Sequence, residues 1–130
     1  MIVVDTSALI AILYGEAELA AFARAIQRSK DARIGAPTAF EYRLVASGSR
    51  SIHTAERIER VLAIRYLRVV EWTPAETLRA HEAFLRYGKG RHPAGLNFGD
   101  CMSYALAKSL DAPLLYKGDD FTRTDIRPAA

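Results

Sequence analysis

Four short apolar runs, each separated from the next by stretches of helical periodicity, constrain this chain more than any other feature. The runs are Ile2-Val3-Val4, Ala32 to Ala36, Leu67 to Trp72 and Pro113 to Tyr116. Apolar runs of this length, bounded by turn residues, read as buried strands. Helices are predicted from about Ala8 to Leu13, Glu16 to Ser29, Pro37 to Ala46, Thr54 to Tyr66, Pro74 to Tyr87 and Asn97 to Leu110. Thr6 and Ser7 can cap the first of these, and Leu19, Phe22, Ala23 and Ile26 fall on one face of the second. Thr73-Pro74 opens the fifth. Strands that alternate with helices run mostly parallel, because each helix carries the chain back to the edge where the last strand began. The predicted class is α/β, a mostly parallel sheet covered by helices.

The chain has 130 residues, half of them hydrophobic and a quarter charged, which suits one globular domain over residues 1–130. No repeat, linker or low-complexity segment divides it. A formal net charge of +3 is compatible with a polyanionic partner but discriminates little. The lone Cys101 cannot form an internal disulfide, and His53, His81 and His92 lie too far apart for zinc-ligand spacing. Asp5 interrupts the apolar start, which has no basic leader, so a signal peptide is not expected. No stretch approaches the roughly 20 apolar residues of a membrane span, so a soluble, cytoplasmic protein is expected.

Acids stand where the strands end or on the helices that follow: Asp5, Glu41, Asp100 and Asp119, with Asp120 beside the last. Open α/β sheets bind ligands at this edge. Each acid also has a local role available to it. Thr38-Ala39-Phe40-Glu41 has capping-box spacing, Asp100 lies in the first turn of its helix, Asp5 precedes a helix, and Lys117-Gly118-Asp119-Asp120 could be a solvated turn. Taken together, however, four carboxylates in one small volume need either raised pKa values or a cation. All-oxygen ligation favours Mg²⁺ or Mn²⁺ over zinc.

The segments 2–9 (Ile-Val-Val-Asp-Thr-Ser-Ala-Leu), Phe40-Glu41, 97–107 (Asn-Phe-Gly-Asp-Cys-Met-Ser-Tyr-Ala-Leu-Ala) and 114–121 (Leu-Leu-Tyr-Lys-Gly-Asp-Asp-Phe) resemble the PIN-domain nucleases. Within them the chain looks like the VapC toxins of toxin–antitoxin pairs, most closely from Arg86 to Phe121. The resemblance covers essentially the whole chain. It implies a PIN-like three-layer sandwich with about five strands, acids around one or two Mg²⁺ or Mn²⁺ ions, and endonucleolytic cleavage of RNA. It also implies a homodimer and a cognate VapB-type antitoxin that blocks the site. Asp5, Glu41 and Asp100 match the family's first three acids. Tyr116 and Gly118 depart from the usual pattern around the fourth, so Asp119 takes that role, with Asp120 as the substitute. Thr6 matches a hydroxyl beside the metal site, although capping accounts for it equally well.

On this reading Asp5 and Asp100 hold the metal, while Glu41 and Asp119 serve a second ion or position the attacking water. Lys89, Arg91, Lys117 and Arg123 flank the acids and are candidates to hold phosphates. The segment Gly88 to Gly95 reads as a mobile, positively charged loop. A two-component receiver domain fails as an alternative, because no second acid follows Asp5 and the third strand ends in Glu71-Trp72. A non-catalytic PIN binding module, or a PIN nuclease of RNA processing without an antitoxin, are the other readings.

Overall fold

The computed structural model describes residues 1–130, with elements in the order β1 (Ile2–Val4), α1 (Thr6–Leu13), α2 (Leu19–Ser29), β2 (Ala32–Gly35), α3 (Ala36–Ala46), α4 (Ala55–Leu62), β3 (Leu67–Val70), α5 (Pro74–Tyr87), α6 (Phe98–Ser109) and β4 (Leu114–Leu115). The sheet is fully parallel, in the order β3-β2-β1-β4. The sequence puts β1 second in from one side, flanked by the strand that follows it and by the last one.

Alternation along the strands divides the core. Val4 and Leu115 face one side, packing with Leu9, Ile26, Tyr42 and Ile58 from the first four helices. Val3 and Leu114 face the other, with Ala83 and Tyr87 of α5 and Tyr104, Leu106 and Ala107 of α6. Helices therefore cover both faces, which makes the sandwich three-layered. β1 carries no polar residue because both of its faces are buried, as a central parallel strand requires.

The strand count is lower than the resemblance implied. Four strands form rather than about five, and the place beside β4 is taken by the tail. Leu114 N–H donates to Arg127 O (2.8 Å) and Ala129 N–H to Leu114 O (2.9 Å), with one isolated parallel bridge between Leu114 and Pro128. Pro128 has no N–H to donate, so pairing cannot extend into a full strand.

The segment expected to be a mobile loop is closed on itself. Leu96 N–H donates to Tyr87 O (3.0 Å), Lys89 N–H to Leu96 O (2.9 Å) and Ala94 N–H to His92 Nδ1 (3.0 Å). The His92 ring sits edge-on to Tyr87, 5.0 Å between centroids. Gly90 and Gly95 supply the positive φ angles of 84° and 61° that these tight turns need. No helix is long and apolar enough to cross a membrane.

Candidate active site

Asp5 follows the last residue of β1 and is the N-cap of α1. Its Oδ2 accepts from the Ser7 amide (3.0 Å) and the Ser7 hydroxyl (2.6 Å). Its Oδ1 accepts from the hydroxyl of Ser103 (2.5 Å), one turn beyond Asp100 on α6. Ser7 Oγ also accepts the Lys117 amide (3.0 Å), joining the ends of β1 and β4. The capping role anticipated for Asp5 is real, and it leaves a second carboxylate oxygen directed into the molecule.

Glu41 does not form the capping box its spacing suggested. Helix α3 begins at Ala36 with Gly35 as its N-cap, so Glu41 lies in the second turn, away from the orphan amides. Its Oε1 instead accepts from the Thr6 hydroxyl (2.5 Å). Its carboxylate rests against Gly99, where a Cβ would lie 2.7 Å from Glu41 Cδ and 2.8 Å from Oε1. Burial is the main cause that pushes the Glu41 carboxyl above its ordinary range; Asp5 adds to it by repulsion and the Thr6 hydroxyl opposes it.

Asp100 does make the capping box. The Asn97 side chain accepts the Asp100 amide (2.9 Å), and Asp100 Oδ2 accepts the Asn97 amide (3.1 Å). A carboxylate at a helix N-terminus is normally favoured as the anion. Here Asp100 is buried, and burial pushes it up to about 7; the Asn97 amide opposes the shift while Asp120, Asp5 and Glu41 reinforce it. No basic side chain is among the charges acting on Asp100 or Glu41.

The turn after β4 carries both candidates for the fourth acid, Asp119 and Asp120. Asp120, not Asp119, is the charge from this turn that acts on Asp100, whereas Asp119 acts on Tyr116. Phe121 is buried and packs against Tyr116, with ring centroids 5.0 Å apart and planes tilted by 59°. Gly118 takes φ +98°, and Asp119 O accepts both the amide (3.1 Å) and the hydroxyl (2.7 Å) of Thr122.

The basic candidates are not brought to the acids. Lys117 Nζ pairs with Glu16 and Glu18, before α2. Arg91 Nε donates to Leu85 O (3.2 Å), and Lys89 and Arg123 are exposed with no ion pair. Sequence reasoning missed Ser7 and Ser103. Ser103 could have been found, since it lies three residues after Asp100 and so on the same helical face.

No three Asp, Glu, His or Cys side chains gather at ligating distance around one point. The donor chemistry is nevertheless that of a hard divalent cation: carboxylates and hydroxyls, mutually repelling and uncompensated. Cys101 offers no thiolate, because burial, with Asp100 adjacent, pushes its thiol up to about 11. These residues fit Mg²⁺ or Mn²⁺.

Comparison with known proteins gives the family. Residues 2–127 match the PIN domain family. Ribonuclease VapC42 of Mycobacterium tuberculosis is 42% identical over 129 residues, 98% of each chain. Ribonuclease VapC28 of the same organism is 38% identical over 128 residues, 98% of this chain and 96% of that one. Among solved structures, Mycobacterium tuberculosis VapC20, a sarcin–ricin loop cleaving toxin, superposes with a TM-score of 0.73 at 19% identity, covering 97% of this chain and 96% of that one. A toxin–antitoxin complex from Klebsiella pneumoniae gives 0.67 at 17%, covering 96% and 93%. At such identities the two structures speak to the fold alone. The family match and the relatives each span nearly the whole chain, and on them this protein belongs to the PIN-domain family and, within it, to the VapC ribonucleases.

Proposed function

We propose that residues 1–130 act as a single PIN domain, the toxin of a toxin–antitoxin pair, which cuts RNA internally with Mg²⁺ or Mn²⁺. The observation that carries this reading is a buried Asp100 raised to about 7 beside Asp5, Glu41 and Asp120, with no basic group to compensate. Natural cores avoid such repulsion, and a cation-binding site accounts for it.

A divalent ion bound here supplies Lewis acidity and a water of lowered pKa. Asp5 and Asp100 would hold it, at the ends of β1 and the start of α6. The hydroxyls of Ser7 and Ser103 fix the Asp5 carboxylate in one orientation, as partners behind a ligand do. Thr6 occupies Oε1 of Glu41, which leaves Oε2 to orient a water or take its proton. A carboxyl whose pKa is raised by burial suits that task at neutral pH. Asp120 is the fourth acid in this scheme, in place of Asp119. Cleavage on these lines leaves a 5′-phosphate and a 3′-hydroxyl.

The partner proposed is a VapB-type antitoxin, the protein a homodimer and its compartment the cytoplasm. The likeness to VapC ribonucleases over nearly the whole chain supports the partner. A guanidinium delivered by the antitoxin would pair with the uncompensated carboxylates in place of the cation. The test is cleavage of single-stranded RNA by protein freed of any partner. Activity should require Mg²⁺ or Mn²⁺ and stop on addition of EDTA. Cleavage that persists in excess chelator and survives both Asp5→Asn and Asp100→Asn would overturn the mechanism.

A further inference from the structure

Gly99 is the second residue of α6, between exposed Phe98 and buried Asp100. Its φ is not in the left-handed region, unlike those of Gly15, Gly90, Gly95 and Gly118. Backbone conformation therefore supplies no reason for glycine here. Helix propensity argues against it, since alanine is the better helix former. What forbids a side chain is Glu41. A Cβ at position 99 would lie 2.7 Å from Glu41 Cδ, 2.8 Å from Oε1 and closer still to Oε2. Real Cβ atoms do not come so near.

We propose that Gly99 is a positioning residue: its missing side chain is the slot that seats the Glu41 carboxylate against the N-terminus of α6, beside Asp100. The inference rests on the reading of Glu41 as a site acid. Two anchors set where the carboxylate goes. The Thr6 hydroxyl holds Oε1, and the bare α-carbon of Gly99 receives the rest. A methyl group at 99 leaves α3 and α6 in place, because the obstructed atoms are the far end of a flexible side chain. Glu41 itself must swing away, losing the Thr6 bond or its place beside Asp100. Displacing a reacting group by about 1 Å can lower a rate roughly 10²-fold.

Two measurements test this. The first is a thermal double-mutant cycle that needs no activity. In the wild-type background Gly99→Ala should leave the melting temperature unchanged or lower it, since the obstruction offsets the helical gain. In a Glu41→Ala background, with the carboxylate gone, the same change should raise it. An equal rise in both backgrounds would overturn the proposal. The second is RNA cleavage, where Gly99→Ala should lower kcat by roughly 10²-fold with KM nearly unchanged. Adding Glu41→Asp, one methylene shorter, should lose less than the product of the two single losses. Wild-type kcat in Gly99→Ala would also overturn it. Wild-type protein without ribonuclease activity would instead remove the functional reading, and the thermal cycle would still decide the role of Gly99.

Discussion

The two ends of α6 treat a carboxylate in opposite ways. Near the C-terminal end, Asp125 of the tail accepts the Tyr104 hydroxyl at 2.6 Å and Lys108 Nζ at 3.0 Å, with Arg86 3.8 Å away. Burial pushes Asp125 up, but the Tyr104 hydroxyl, Lys108 and Arg86 outweigh it and hold the group below its ordinary range. At the N-terminal end Asp100 has a capping box and a favourable helix dipole, yet it rises to about 7 because burial and three neighbouring acids prevail. Both acids are hydrogen-bonded, so satisfied bonds do not separate them. What separates them is burial and counter-charge together: Asp125 is more exposed and supplied with cations from the chain, while Asp100 is buried and has none. On the proposed reading, the end without a counter-charge is the end that takes a cation.

The contrast breaks most sharply at Asp100. Asp100→Asn should lower RNA cleavage by more than the 10–100-fold typical of losing an outer-shell partner, while Asp125→Asn should leave it within about twofold. Equal losses would mean that the two ends are not functionally distinct.

Stability against pH sharpens it next. Between its ordinary value of 3.8 and about 7, Asp100 keeps a proton in the folded chain that the unfolded chain has released. The folded state then binds more protons, so metal-free stability falls as pH rises through that window and stays reduced above it. The effect is on the order of a few kcal/mol. Asp100→Asn should flatten this slope in urea titrations from pH 4 to 8. An unchanged slope would show that Asp100 is not the group responsible.

Ser103→Ala removes the hydroxyl that fixes Asp5 Oδ1. A loss of roughly 10-fold or more in Mg²⁺ or Mn²⁺ affinity is expected by calorimetry. Unchanged affinity would reduce Ser103 to a packing residue. A smaller effect concerns the ion itself. Mg²⁺ at about tenfold above its dissociation constant should add roughly 1.4 kcal/mol, near 5 °C in melting temperature, to wild type and far less to Asp100→Asn. The smallest is at the other end, where Lys108→Ala should cost about 0.2–1 kcal/mol, screened by salt.

The architecture was legible because its signals are local. β-branched runs, capping residues and 3.6-residue spacing located all four strands and all six helices to within a few residues. Asp5 and Asp100 could be singled out for the same reason, since each follows a strand or opens a helix. The capping-box spacing at Glu41 misleads, as α3 starts two residues earlier than Thr38. The choice between Asp119 and Asp120 was not legible. Two adjacent acids of one type differ only in where the turn puts them, and the shape of that turn, with Gly118 at φ +98° and Phe121 buried, comes from the fold. The ion pairs of Lys117 were not legible for a similar reason. Its partners Glu16 and Glu18 lie about a hundred residues earlier, and only the fold brings them near. Gly88 to Gly95 looked mobile by composition, but tight turns and a seated His92 ring use the same glycines to close a loop.

The strip of tail at Arg127 to Ala129 has a bearing on how this chain behaves in company. It lies along the outer side of β4, a strand only two residues long, and engages both the N–H and the C=O of Leu114. An uncovered strand edge is a template on which another copy can pair, the first step towards domain exchange or aggregation. Here the guard is a proline-containing segment that can occupy the edge but cannot itself be extended into a further strand. Chains cut short before Arg127 should keep their acids and their core, yet become prone to self-association.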